Sequence, residues 1–519
     1  MYLEELNLVS DTNYKVYTPE PIARKMISSI LKEYFDNYKA NKKEALENIR
    51  ACDLACGTGN LLIVLIETLI KISKIYYKEY KYNENWVEGY DIDADALEIF
   101  QERFKELMCK YKLEGNLNIF NKNSLLEDFD KSYNILIGNP PYLGEKNNRE
   151  IFDNIKNTEF GKKYYEGRMD YLYFFIIKGI DILEKNGILS YITTNYWLRA
   201  DYAKTLREKI ARETDFIYIK NYNKSVFKNV HGQHNIIFTF VKAKINRLLL
   251  VEDEKDTFCI ENNYIFDVEN KIVLACEKKR SYFEKILNKK NYYLGELLNI
   301  NQGIVSGCDK AFILNEYKSE FSEFLKPFYK NSQISKYRVD KNNLYWILYL
   351  TKDSKPNSNI LEHLQVYREK LEKRREVQKK YRQWWELQWA RDKEIFTNLK
   401  IVSPQRAVSN TFSMVEGEFY ASADIYYLSP KRKDIDLYYI LAYLNSKVFY
   451  EWFKYNGKNK GAYLELYATP LKNTPIYYPD DKKEISRISK LSKELSLNYK
   501  KEVEEEIDRY FFEMYNSSN

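Results

Sequence analysis

At 519 residues, with 45% hydrophobic and 30% charged residues and 82 Lys+Arg against 75 Asp+Glu, the chain has room for two substantial domains and the make-up of an ordinary globular protein. The formal net charge of +7 permits a polyanionic partner without requiring one. Apolar runs such as Leu61 to Ile66 and Phe174 to Ile177 fall far short of the roughly 18 residues of a membrane span, and Met1 to Ser10 carries two Glu and no basic n-region. Cys52, Cys56, Cys109, Cys259, Cys276 and Cys308 form no CxxC pair, so a cytoplasmic protein with reduced thiols is expected, without a disulfide framework or a zinc knuckle.

From Ala51 to about Ala243, short β-rich runs alternate with helical stretches. Ala51 to Ala55, Trp86 to Tyr90, Asn118 to Asn121, Tyr133 to Gly138, Ile188 to Thr193, Phe216 to Ile219 and Ile236 to Val241 read as strands. Leu61 to Lys74, Asp93 to Lys112 and Tyr171 to Lys185 carry apolar residues at i, i+3 and i+4 over helical lengths. This alternation predicts a Rossmann-like α/β domain over 1–243 with a seven-stranded, mostly parallel sheet, its last two strands forming an antiparallel edge hairpin. Residues 244–293 read as a connector of short strands with a helix at Cys276 to Lys289. Residues 294–480 read as an α+β domain with a highly charged helix near Ile360 to Arg382, and 481–519 as a polar helical tail.

Asp53-Leu54-Ala55-Cys56-Gly57-Thr58-Gly59-Asn60 follows the first strand and opens a helix, placing glycine where backbone must turn sharply and approach a ligand. Any doubly wound protein has glycine at its first βα turn. Here Glu88-Gly89-Tyr90-Asp91-Ile92-Asp93 adds an acidic residue at the end of the next strand, where such folds bind ribose hydroxyls. The loop has neither the Lys-Ser/Thr of a P-loop nor the third glycine of the dinucleotide fingerprint, so a nucleoside without a pyrophosphate, such as S-adenosylmethionine, fits better.

Ile135-Leu136-Ile137-Gly138-Asn139-Pro140-Pro141-Tyr142 sets Asn139 directly after a buried strand, with two prolines fixing the loop. The exocyclic amine of adenine is a poor nucleophile because its lone pair is delocalised into the ring. If the Asn139 amide oxygen and the Pro140 carbonyl accept its two hydrogens, the nitrogen moves towards sp³ and the lone pair becomes available for in-line methyl transfer. Tyr142 is then placed to stack on a base that must first be flipped out of the duplex. Unstacking costs a few kcal/mol by general estimates and one aromatic stack returns about 1 to 3. A second aromatic is therefore wanted, and Phe227 in Lys224-Ser225-Val226-Phe227-Lys228 is the candidate, unless it is an ordinary loop anchor.

At these residues the chain resembles the γ-class, TaqI-like DNA amino-methyltransferases, whose order is a Thr-Pro motif, the cofactor loop, the acidic ribose ligand, Asn-Pro-Pro-Tyr and a C-terminal specificity domain. The resemblance runs from about Tyr14 to about Ile476. It implies a cofactor-binding set of Tyr17, Thr18, Asp53, Ala55, Cys56, Gly57, Asp91, Ile92, Asn123, Ser124, Asn139 and Pro141. It implies a catalytic set of Asn139, Pro140, Pro141, Tyr142 and Phe227, with S-adenosylmethionine as cofactor, double-stranded DNA as partner and no obligate protein partner. One departure is Asn123, where the family usually has Asp for the cofactor adenine; an amide oxygen accepts the same hydrogen bond. Gln302 to Phe312 and Tyr381 to Trp389 are similar to stretches of a clostridial group of orphan adenine methyltransferases, which implies an adenine-rich, non-palindromic site.

Arg368 to Arg382 holds eight Lys/Arg against three Glu and leads into Trp384, Trp385 and Trp389, a pattern that suits phosphate tracking or, equally, a solvated helix face over packed Trp. Gln302, Lys310, Arg382, Trp384, Gln405, Arg406, Lys458 and Lys460 are the candidate DNA contacts; Gln302 and Gln405 stand out because Gln pairs with adenine. His231 and His234 lack a carboxylate or cysteine to complete a metal set. Two other readings remain open: a protein glutamine-N5 methyltransferase, since Asn-Pro-Pro-Tyr also suits an amide nitrogen, and a catalytically silent DNA-binding protein. Cytosine-N4 methylation is disfavoured because that class usually has Ser or Asp at position 139.

Overall fold

The computed structural model describes residues 18–37, 41–227, 233–253, 256–267, 269–342, 345–460 and 463–517. The chain divides into two compact units, Met1–Glu277 and Lys278–Asn519. Among the described residues no helix is long and apolar enough to cross a membrane.

The first unit is built on one sheet. Its strands are β1 (Ala51–Asp53), β2 (Val87–Asp91), β3 (Asn118–Asn121), β4 (Tyr133–Gly138), β5 (Leu183–Thr194), β6 (Asp215–Asn221), β7 (Asn235–Val241), β8 (Leu248–Asp253) and β9 (Asp256–Glu261). Their spatial order is β3-β2-β1-β4-β5-β7-β6-β8-β9, with β3 to β5 mutually parallel and β7 and β9 reversed. All six residues of β4 are buried because helices cover both faces. Its alternation splits the core: Ile135 and Ile137 face the cluster that includes residues of α1 (Glu20–Asn37), α2 (Asn60–Tyr77) and α3 (Ala94–Tyr111), while Leu136 faces the cluster around α4 (Tyr171–Ile182).

Three expectations are corrected by this topology. Among the described residues the sheet has nine strands, not seven, because the expected connector supplies β8 and β9. The β6/β7 hairpin is consequently not at an edge: β7 inserts between β5 and β6, and β8 pairs parallel to β6. The helix expected to reach Lys185 stops at Ile182, where Leu183 pairs with Tyr133, and Asn186 takes up a left-handed conformation (φ 65°) that Asn tolerates better than most residues.

The second unit packs two four-stranded sheets around one apolar cluster that includes Phe312, Ile347, Leu364, Phe396, Tyr420 and Tyr427. The charged stretch near 360–382 is not one helix but three short ones, Ser358–Gln365, Arg368–Glu372 and Arg375–Gln378. The second of its two breaks falls at Arg374, whose buried guanidinium donates to the carbonyls of Leu371, Ser306 and Trp384 at 3.0, 3.1 and 2.7 Å. The C-terminal helices Lys482–Leu497 and Lys501–Asn516 pack on Leu437–Asn445, with Phe511 edge-on to Tyr439 and Tyr443 at 5.7 and 5.4 Å.

Candidate active site

Because β1, β2 and β4 are parallel neighbours, their carboxyl ends bring Asp53, Asp91 and Asn139 to one end of the sheet, where ligands bind in open α/β folds. The turn between β1 and α2 needs glycine twice: Gly57 and Gly59 have φ of 51° and 75°, and a Cβ at Gly59 would lie 2.1 Å from the Phe100 ring of α3. Asp91 holds this turn. Its carboxylate accepts the Gly57 N–H at 2.7 Å and the Asp93 N–H at 2.9 Å. Asp53 is buried, with Oδ1 accepting the Ala55 N–H at 2.9 Å; burial lifts its carboxyl to about 7, and the nearby Asp91 charge pushes the same way.

The remaining expected cofactor residues surround this turn or flank it. Ile92 is 74% exposed, an apolar side chain left open beside Asp91. Ala55 is half-buried, and Cys56 is buried with its thiol pushed up by burial, which makes it inert packing. Asn123 uses Oδ1 to accept the Leu125 N–H at 3.1 Å, and its Nδ2 lies 3.4 Å from the Tyr171 hydroxyl. Ser124 is buried and spends its hydroxyl on the Leu54 carbonyl at 2.6 Å, tying this loop to the cofactor turn. Thr18 is buried just before α1; Tyr17 lies outside the described residues.

In the loop after β4, Asn139 is half-buried, Pro140 is buried, and Pro141 and Tyr142 are half-buried. The Tyr142 hydroxyl meets two acceptors, Asn139 Oδ1 and the Ile192 carbonyl at 3.1 Å. Burial pushes this hydroxyl well above its usual range, so it stays a neutral donor. Phe227 is 6% exposed and belongs to the apolar cluster on which the Tyr142 ring packs. His234 faces the Asn223 carbonyl through Nδ1 at 2.7 Å, and His231 lies outside the described residues.

Asp170 was not singled out from sequence, yet it anchors the loop. Its Oδ1 accepts the N–H of Leu143, next to Tyr142, at 3.2 Å and caps α4 through the Leu172 N–H at 3.1 Å. The Glu145 N–H to Met169 and the Tyr171 N–H to Leu143 complete the clasp at 3.1 and 2.9 Å. An Asp just before an apolar helical run is the signal that marks such a cap. Replacing it should be felt at both ends: Asp170→Ala is expected to lower unfolding stability by about 1 to 2 kcal/mol, the usual worth of a lost N-cap, and Asp170→Asn to recover most of it, as read by chemical denaturation.

In the second unit the two stretches noted in the sequence, 302–312 and 381–389, lie together: Val305 bridges Trp389, and the Gln388 N–H reaches the Ser306 carbonyl at 3.3 Å. Arg382 pairs with Glu386 at 3.2 Å and faces the 41% exposed Trp389 ring at 5.8 Å, while Arg368 faces Trp384 at 5.0 Å. Gln302 and Gln405 sit at one end of the sheet, each tied to the 422–424 turn: Gln302 Nε2 to the Ala423 carbonyl at 2.9 Å, and the Gln405 N–H to that of Asp424 at 2.6 Å. Arg406 is held by Glu465 at 3.0 Å and by the Tyr467 hydroxyl at 2.8 Å, and Lys458 lies 3.7 Å from the same Glu465. Lys310 and Lys460 are exposed.

A parallel sheet with a glycine turn on its central strand, an acidic residue closing the strand on one side and an Asn-Pro-Pro-Tyr loop after the strand on the other is the framework of a methylase. Residues 51–227 match the Eco57I restriction-modification methylase family, and residues 326–476 match the TaqI-like C-terminal specificity domain. The chain is thus a relative of the Type II methyltransferases, with a methylase domain followed by a specificity domain. It is 28% identical to the Type II methyltransferase M.HindII of Haemophilus influenzae over 71% of this chain and 80% of that protein. It is 22% identical to M.BanIII of Aneurinibacillus aneurinilyticus over 92% and 93% of the two chains. The Type IIL restriction-modification enzyme MmeI, solved in complex with DNA, superposes with a TM-score of 0.72 over 97% of this chain and 76% of that one; at 13% identity this is a likeness of fold.

Proposed function

We propose that this protein is a site-specific DNA adenine-N6 methyltransferase that uses S-adenosylmethionine and flips its target base. The observation that carries the reading is the adjacency of Asn139-Pro140 at the end of β4 to the Asp53–Asp91 turn on the neighbouring parallel strands. The turn fits the cofactor: the Asp91 carboxylate has acceptor capacity left for a ribose hydroxyl, Ile92 offers an apolar wall, and Asp53 is an acceptor of a cationic amine. S-adenosylmethionine, when bound there, supplies the electrophilic methyl group.

The side chains supply the rest. Asn139 Oδ1 and the Pro140 carbonyl accept the two hydrogens of the target amine, and these bonds strengthen as positive charge grows on its nitrogen. Asn139 Oδ1 has two lone pairs, so it serves the amine and the Tyr142 hydroxyl together. Tyr142 and Phe227 hold the extruded ring, which limits solvent access and fixes its angle of approach. Residues 294–480 read the DNA, through the Gln302–Gln405 end of their sheet and the basic-aromatic stretch at 382–389. The 302–312 and 381–389 segments resemble CamA, a clostridial sporulation-associated orphan adenine methyltransferase, so an adenine-rich, non-palindromic site and action without a nuclease partner, in the bacterial cytoplasm on the nucleoid, are part of the proposal. A specificity domain disfavours the protein-glutamine reading, and the intact Asn139–Tyr142 loop disfavours a silent DNA binder.

The purified chain, incubated with methyl-labelled S-adenosylmethionine and adenine-rich duplexes, should transfer label to DNA, with N6-methyladenine as the labelled nucleoside by mass spectrometry. Label on N4-methylcytosine or on protein, or none at all, would defeat the reading.

A further inference from the structure

A knot of side-chain amides lies on the same end of the sheet as Asn139, beyond the residues assigned so far. Asn195 follows β5, Asn221 ends β6, Asn223 begins the loop to Phe227, and Asp253 ends β8, in register with Asn221. Asp253 Oδ1 accepts from Asn221 Nδ2 at 2.9 Å and Asn223 Nδ2 at 3.0 Å. Asn195 Nδ2 in turn donates to Asn221 Oδ1 at 3.0 Å and Asn223 Oδ1 at 3.1 Å. We infer that Asp253 is a positioning residue for Phe227, setting the polarity of this network and with it the path of the base-stacking loop; the inference rests on Phe227 acting as a stacking aromatic.

The argument is one of donor and acceptor inventory. An amide can face a neighbour with either its oxygen or its NH₂, so a cluster of three Asn alone has several arrangements of similar energy. An ionised carboxylate only accepts, so both amides touching Asp253 must present NH₂ to it, which turns their oxygens towards Asn195 and leaves one arrangement. Its hydrogen bonds are charge-assisted, the stronger kind. The arrangement fixes backbone. Asn223 is held in the left-handed region (φ 48°), with its carbonyl taken by His234 Nδ1 at 2.7 Å. Asn235 then closes the stem, its carbonyl accepting the Tyr222 N–H at 2.9 Å and its Oδ1 the Val226 N–H at 3.0 Å, one residue before Phe227. Asp253 comes from β8, outside the 51–227 methylase match.

The test uses a duplex with 2-aminopurine at the target position, whose emission rises when the base leaves the stack, alongside kcat, KM and the affinities for DNA and S-adenosylmethionine. Asp253→Ala should keep both affinities within about twofold, yet lose at least half of the emission rise and lower kcat by about tenfold, the scale of a small misplacement at a reacting centre. Asp253→Asn can present its NH₂ as readily as its oxygen, so it should recover no more than about half of either signal, and full recovery would overturn the claim that an acceptor-only group sets the polarity. Wild-type emission and kcat in a folded Asp253→Ala protein overturn the inference. So does a parallel loss of flipping, both affinities and thermal stability in Ala and Asn variants alike, which marks a purely structural role. Failure of the underlying reading looks different, because wild-type protein would then give no emission rise at all.

Discussion

Asn139→Ala is expected to lower single-turnover methylation by at least about 10² to 10³-fold, the scale of removing one preorganised polar group from a charge-developing centre, while DNA binding stays close to wild type. The alanine deletes one of two acceptors for the amine hydrogens and leaves the Pro140 carbonyl in place. It also releases the Tyr142 hydroxyl to the Ile192 carbonyl alone, 3.1 Å away, so the ring loses one of its two tethers while keeping its apolar packing. Base extrusion, which depends on the aromatic rings, should therefore survive better than turnover, and a stacked, unreacted base should accumulate. Rapid-quench methylation compared with a gel-shift titration separates the two, and full activity in the variant would remove Asn139 from the mechanism.

How much of this was readable from sequence depended on whether chemistry or packing selected the residues. The turns after β1 and β2 were legible as turns because glycine at positive φ and carboxylates that accept backbone N–H groups stand at fixed offsets from a strand end, as Gly57, Asp53 and Asp91 do. β8 was less so: Leu248 and Leu250 are 55% and 37% exposed while Leu249 and Val251 are buried, so its apolar run does not reveal which face is inward, and the stretch reads as a connector. The C-terminal helices look polar, yet Ile488, Leu495, Ile507, Phe511 and Tyr515 form an inward stripe whose partners lie in Leu437–Asn445. Nothing in the basic run distinguishes Arg374 from its seven cationic neighbours, because only the three carbonyls around it select it for burial. Asp253 escapes for the same reason: its meaning lies in the Asn side chains that β6 and the loop after it bring to it.

The affinity for S-adenosylmethionine should fall as pH drops below 7, and Asp53 should be the cause. Its buried carboxyl titrates near 7, so in the free protein it is largely protonated at pH 6 and largely ionised at pH 8. A cationic ligand favours the ionised form, so binding at low pH must also expel a proton, and Kd is expected to rise by up to about tenfold per pH unit below 7. Stability of the free protein should run the other way. Because the folded-state value lies above the ordinary 3.8, the favourable contribution is fully present below about pH 4 and is lost as pH rises to about 7, where a charge must be held in a buried site. Asp53→Asn removes the titration: its Kd should be weaker and flat between pH 6 and 7, and its unfolding midpoint should lack the wild-type decline over pH 4 to 7. The ligand's own amine titrates identically for both proteins, so calorimetry of the pair isolates Asp53, and parallel pH profiles would dismiss it as the cofactor's counter-charge.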